Sequence, residues 1–215
     1  MNNKKNVQLL FFISLTCLII CVGIPTVRAL TISIQVGSQA GPWDTWLNPS
    51  FDYGIHDNIS PVVIDETSGL SFAPGNSLTI TYISGTVSAG LGWSWVDAAG
   101  DNLVTNGNTG SSGTVFPSKY MQDDWDTHLM ELVGAFADSS GTIIGNPFEI
   151  GLGRTVIIPS GATRLQLGIN DDIFRDNKGA FEIKIEGSPV PISGPIWLLG
   201  AGFISLFKVK RRKEK

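Results

Sequence analysis

The run Asn170-Asp171-Asp172-Ile173-Phe174-Arg175-Asp176-Asn177-Lys178-Gly179 places three carboxylates and two carboxamides within ten residues. Oxygen donors of that kind suit a hard cation. Calcium takes six to eight oxygens, drawn from carboxylates, amides and main-chain carbonyls. A loop that presents Asp171, then Asp176 and Asn177, and turns back at Gly179 can wrap such an ion. Asx residues also form turns for their own sake, and taken alone the loop leans slightly to that reading. A second acidic group, Asp123-Asp124-Trp125-Asp126, joins carboxylates to an aromatic face, as carbohydrate sites do. It reads first as a solvated acidic loop. Trp43, Trp46, Trp93 and Trp95 could also stack on a sugar, although Trp93 and Trp95 share one strand face and are expected in the core.

Other chemistries find little support. The two cysteines, Cys17 and Cys21, lie in the N-terminal apolar run, so the rest of the chain can hold neither a disulfide framework nor a thiolate zinc site. His56 and His128 are the only histidines, which excludes a multi-histidine metal site. No Gly-x-Ser-x-Gly elbow accompanies them. Gly151-Leu152-Gly153 lacks the following Gly and Lys of a phosphate loop. Paired carboxylates for glycoside hydrolysis are available anywhere among so many acids and indicate nothing. The chain is therefore read as a non-enzyme.

The elements that must position the acidic run are strands. Leu165, Leu167 and Ile169 alternate with Arg164, Gln166 and Gly168 before it, and Phe181, Ile183 and Ile185 alternate with Glu182, Lys184 and Glu186 after it. The run is thus a hairpin loop. Leu78, Ile80 and Tyr82 alternate with Thr79 and Thr81, which marks a further strand. Turn signals separate the strands: Pro74-Gly75-Asn76, Ser139-Ser140-Gly141 and Pro159-Ser160-Gly161. Tyr120–Asp138 carries Met121, Trp125, Leu129 and Leu132 at near-helical spacing, which predicts a short helix followed by the strand Leu132–Ala137. The expected fold is all-β, a β-sandwich of jelly-roll type, over residues 30–187.

That middle segment holds 18 Asp and Glu against 6 Lys and Arg, a net charge of −12. Such an excess argues against nucleic acid as a partner. The ends differ. Lys4 and Lys5 precede the uncharged run Leu9–Ile24, and Val27 and Ala29 are the small residues a signal peptidase needs, so residues 1–29 read as a signal peptide cut after Ala29. At the other end, residues 188–215 carry Val190-Pro191, the apolar stretch Ile192–Phe207 and a basic tail in which six of the last eight residues are Lys or Arg. The stretch is short for a spanning helix, and its basic flank would stay cytoplasmic.

Val-Pro-x-x-x-Pro, a tryptophan-bearing apolar helix and an arginine cluster resemble the PEP-CTERM class of C-terminal sorting signals, in its Val-Pro-x-x-x-Pro form. The resemblance implies cleavage near Val190 and Pro191 by an exosortase-type enzyme. It also implies transient membrane residence through residues 192–207, and delivery to the surface or matrix of a diderm bacterium that makes exopolysaccharide. The middle resembles the galactose-binding lectin family of calcium-dependent bacterial lectins, the PA-IL-like domains. The motifs are LQLGINDDIFRDNKGAFEIKI, Glu131-Leu132-Val133-Gly134, Pro147-Phe148-Glu149-Ile150-Gly151, and Pro74-Gly75 with the strand pair after it. The resemblance implies a galactose-binding-domain-like sandwich. It also implies a calcium site with side-chain ligands Asp171, Asp176 and Asn177, a main-chain carbonyl at Ala89, and a second carbonyl from Ile173 or Phe174, within Ile173–Arg175. The region Val104–Met130 shows no equivalent of the family's sugar contacts, so no sugar-binding residue is carried over.

Three functions follow as expectations. The first is an exported, calcium-dependent carbohydrate-binding module that takes a glycan, such as the cell's own exopolysaccharide. The second is a structural matrix protein in which calcium only stiffens the fold. The third is an extracellular polysaccharide hydrolase.

Overall fold

A computed structural model of the chain describes residues 29–121 and 126–190. The expected signal peptide up to residue 28, the expected sorting segment from Pro191 onward, and Asp123, Asp124 and Trp125 of the second acidic group lie outside the described residues. No helix among the described residues is long and apolar enough to cross a membrane.

Eight strands form two four-stranded antiparallel sheets. They are β1 (Leu30–Gly37), β2 (Val62–Asp65), β3 (Ser77–Ser88), β4 (Leu132–Ala137), β5 (Phe148–Glu149), β6 (Gly153–Ile157), β7 (Arg164–Ile169) and β8 (Lys178–Gly187). The strand orders are β1-β8-β3-β6 in one sheet and β2-β7-β4-β5 in the other. Every connection except β4–β5 crosses between the sheets, which is the eight-stranded jelly roll.

The sheet faces follow from the alternation. In β8, Phe181, Ile183 and Ile185 are buried, and they pair with Val36, Ile34 and Ile32 of β1 on one side. Ile185 and Ile183 also pair with Ile80 and Tyr82 of β3 on the other side. Glu182, Lys184 and Glu186 face outward. Residues 77–88 form one long strand rather than a pair. A bulge inserts Ile83 between the Tyr82–Ile183 and Ser84–Glu182 pairings. One extra residue flips a period of two. Leu78 and Ile80 therefore face the core before the bulge and Val87 after it.

The second sheet is buried on both faces. All six residues of β4 are buried. On β7 the inward Leu165, Leu167 and Ile169 meet the first sheet's apolar side chains, while Gly168 lies against the main chain at Gly41 and Pro42. A side chain at 168 would overlap that crossing segment. Trp43 and Tyr53 continue the same cover, their rings edge to face with centroids 5.2 Å apart. Trp43 is buried, whereas Trp46 is 81% exposed.

Two expectations change. Pro117–Tyr120 is a short 3-10 turn, Met121 and Leu129 are buried, and the described residues 126–131 form no helix. The ordered domain also runs past Gly187. Ser71 donates its amide to the Ser188 carbonyl at 2.8 Å, and Val190 donates to the Gly69 carbonyl at 2.8 Å. The β8 strand is thereby tied to the fold up to the Val190-Pro191 step.

Candidate functional site

The segment between β7 and β8 is not the expected hairpin loop, because β7 lies in one sheet and β8 in the other; it crosses between the sheets and is held by buried polar contacts at both ends. Asn170, at its start, donates Nδ2 to Thr105 Oγ1 and to the His128 carbonyl, each at 2.7 Å. Its Oδ1 accepts the Ser118 amide at 3.0 Å. That one side chain thus fastens the loop to the 105–128 region. Phe174, at the loop's middle, is buried against Tyr53 with ring centroids 5.8 Å apart. The Asp57 carboxylate accepts the amides of Phe174 at 2.9 Å and Arg175 at 3.3 Å. Asp57 is a loop-fixing residue that no motif announced.

Between these anchors sits the acidic group. Asp171 is buried. Its Oδ1 accepts the Asp172 amide at 2.7 Å and its Oδ2 accepts Asn177 Nδ2 at 2.8 Å. Burial pushes its carboxyl up to about 7, although the bonds from Asn177 and the Asp172 amide pull the other way. Asn177 also donates to the Ser38 carbonyl at 3.0 Å. Both of its amide hydrogens are thereby committed, and its Oδ1 is left buried without a hydrogen-bond partner. Buried acceptors are nearly always satisfied, so that oxygen marks a place where a positive centre would be stabilised. Asp176 is exposed, and its carboxylate lies over Gly90, where a Cβ would come within 2.6 Å of Oδ2. The chain just past the end of β3 is in this way brought onto the β7–β8 loop.

Asp171, Asp172, Asp176, Ile173 and Ala89 line one cavity of about 410 Å3. The two carboxylates and Ala89 singled out in the sequence therefore converge, with Asn177 bonded to Asp171 beneath them. Phe174 does not line the cavity, and its carbonyl already accepts the Asn177 amide at 3.1 Å. Ile173 is the better placed of the two carbonyl candidates. Among the described residues no three His, Cys, Asp or Glu side chains form a metal-holding group. A cation here must take amide and main-chain oxygens beside its carboxylates, which is the mixed donor set calcium accepts. On the buried, orphaned Asn177 oxygen and the desolvated Asp171 carboxylate, the residues fit such an ion.

The far wall was not legible beforehand. Trp93, expected in the core, is 46% exposed and lines the cavity, and Trp95 is 57% exposed. They stand on a loop rather than a strand, since Gly90 and Gly92 take positive φ values of 99° and 90°. Those two glycines were the available signal. Thr105, Asn108 and Thr109 complete the wall. Asp172, the third acid of the run, is buried and accepts the Ser112 amide at 2.9 Å.

The histidines do not build a nucleophile. His56 pairs with Asp52 at 2.6 Å, and the His128 amide donates to Glu131 at 2.8 Å. Neither has a serine hydroxyl among its hydrogen-bond partners in the described residues. Asp126 is exposed.

No protein-family model matches the chain. No curated protein matches it. Among solved structures, the chain is similar to the N-terminal domain of EclA, a PllA-like lectin, at 15% identity. The match covers 74% of this chain and 98% of that one, with a TM-score of 0.36. No residue role is transferred from that likeness.

Proposed function

We propose that the protein is an exported carbohydrate-binding module whose glycan site depends on calcium. The observation that carries this reading is the cavity of about 410 Å3, into which Asp171, Asp176 and the end of β3 converge beside an exposed tryptophan. Concave sites with apolar walls and a few convergent polar groups are where small ligands bind. Asp171, Asp176 and Asn177 would hold the ion, with the Ala89 and Ile173 carbonyls as the main-chain candidates. Bound calcium supplies a positive charge that attracts the lone pairs of sugar hydroxyls. The chain's own part is to keep the donors in place, through Asn170, Phe174 and Asp57, before any ion arrives. Single-site affinity is expected to be modest, so retention on a polymer surface calls for several copies acting together.

The ends of the sequence support an exported, surface-sorted protein, with a signal peptidase and an exosortase-type enzyme as processing partners. Intact-mass measurement of the extracellular protein from its host tests this. The expected species begins at Leu30 and lacks the basic tail; a full tail on extracellular protein refutes the sorting.

A second reading rests on the burial of the Asp171–Asn177 pair. An ion there would stiffen the β7–β8 loop of a structural matrix protein and bind no sugar. A glycan array run with calcium and with chelator separates the two. Chelator-sensitive binding supports the module, and calcium-dependent stability without any glycan binding supports the structural protein.

A further inference from the structure

We propose that the cavity contains a second sugar subsite, in which Trp93 stacks on the C–H face of a β-linked pyranose and Asp172 accepts from its hydroxyls. The inference rests on the carbohydrate-binding reading above and names the part of that site which recognises the ring.

Trp93 is presented by a short loop that is fastened at its base. Val87 and Val96 exchange amide-carbonyl bonds at 3.0 and 2.8 Å. Inside the loop, Ser88 Oγ donates to the Gly90 and Trp93 carbonyls, both at 3.2 Å. The main chain that carries the indole is thus held in place without a ligand, which lowers the ordering cost of binding. Large exposed apolar residues gather at this mouth. Leu91 is 99% exposed on the same loop, and Leu103 is half exposed on the facing segment and lines the cavity. Apolar surface gathered around a concavity marks a binding site.

Asp172 supplies the opposite character. An ionised carboxylate accepts hydrogen bonds and donates none, with room for about four. Among the described residues its Oδ2 takes one, from the Ser112 amide at 2.9 Å. Asp172 is 4% exposed and lines the cavity. Gly110 lies directly against it, and any Cβ there would overlap the carboxyl group. Glycine at 110 therefore lets the polar loop close over Asp172 and form the wall. Neither Trp93 nor Asp172 belongs to the proposed calcium ligands, so their contribution can be separated from the metal.

An aromatic wall facing a buried acceptor selects a ring with one apolar face and hydroxyls at its edge, which is a pyranose. A β-linkage turns the axial hydrogens to one clean face, whereas an α-linkage sets an oxygen on that face. The cavity lies within the range of about 300–1,000 Å3 that takes drug-sized ligands, a match for two linked rings rather than one.

The test is calorimetric titration of the secreted protein in calcium. The probes are the methyl β-glycosides and the α- and β-linked disaccharides of glucose, galactose, mannose and N-acetylglucosamine. Wild type should bind a β-linked disaccharide about tenfold tighter than its methyl glycoside and its α-linked counterpart, as one aromatic contact allows. Trp93→Ala should lose that advantage, Trp93→Phe should recover most of it, and Asp172→Asn should weaken binding about tenfold. All three variants should keep the wild-type rise in melting temperature with calcium. Wild-type affinity in Trp93→Ala, or equal binding of α- and β-linked probes, overturns the subsite while leaving the module intact. Loss of the calcium response in Trp93→Ala also overturns it, because the residue would then act through the metal loop. Binding of no probe by wild type overturns the carbohydrate reading and the subsite with it.

Discussion

Asn177 donates its side-chain amide to the Asp171 carboxylate at 2.8 Å, and the same donation turns its own Oδ1 into a buried position with no hydrogen-bond partner. The pair thus contains a desolvated carboxylate and an orphaned acceptor side by side. Each of them costs free energy in the absence of a cation, and each would be relieved by one.

Calcium should therefore stabilise the fold. At a hundredfold excess over its dissociation constant the gain is about 2.7 kcal/mol, and in a domain of this size each kcal/mol is worth roughly 2–4 °C. A thermal scan should show a rise of several degrees that chelator reverses. Asp176→Ala should abolish the rise at little cost to the metal-free protein, because Asp176 is exposed and its loss leaves no buried group unpaired. An undiminished rise in that variant places the ion elsewhere.

Asn177→Ala should behave differently. It strips a donor from both the buried Asp171 carboxylate and the Ser38 carbonyl. Leaving such groups unpaired costs about 1–3 kcal/mol. Urea unfolding in chelator should therefore show a lower midpoint for Asn177→Ala than for Asp176→Ala. Equal midpoints would mean that the amide does not support the β7–β8 loop.

Glu131 predicts a pH dependence. Burial pushes its carboxyl from near 4.5 up to about 7, aided by the charge of Glu149 and opposed by the hydrogen bond from the His128 amide. The folded protein thus holds this proton more tightly than the unfolded chain. Its contribution to stability is full below about pH 4.5 and is lost as the pH rises to about 7. The slope is at most about 1.4 kcal/mol per pH unit. Glu131→Gln cannot ionise and can still accept the His128 amide. Denaturation at pH 5 and pH 8 should show a smaller loss in the variant than in wild type, and an equal loss would assign the titration to another group.

Gly168→Ala should destabilise the domain by about 1–3 kcal/mol or more, the range for overpacked cores. The new methyl would meet the Gly41–Pro42 main chain, and the Ile169 amide bond to the Ala40 carbonyl at 2.9 Å holds that segment close. A melting temperature equal to wild type would show that the segment can lift away.

Much of the framework was legible because it depends on local pattern. A period of two in Arg164–Ile169 and Phe181–Glu186 declares strands whatever surrounds them, but not that the two belong to different sheets, so the acidic run between them is a crossing loop and not the expected hairpin. The same run declares its oxygen donors by residue type. The bounds of β4, Leu132 and Ala137, match the sequence reading, with the Ser139-Ser140-Gly141 turn beyond its end. Tertiary structure decided what depends on distance through space. The bulge at Ile83 reverses the faces of one long strand, which no alternation count anticipates. Trp93 and Trp95 keep strand-like spacing but leave the core, because the glycines at 90 and 92 take left-handed conformations that turn the chain into a loop. Asp172 resembles Asp171 in sequence, yet only the packing of Gly110 and Ser112 onto it makes it a wall of the cavity. Sequence by itself determined which residues could supply oxygen or an aromatic face, since residue type sets that chemistry. Only the tertiary structure decided which of them meet, because convergence of residues 89, 93, 110 and 171–176 is a property of how the two sheets pack.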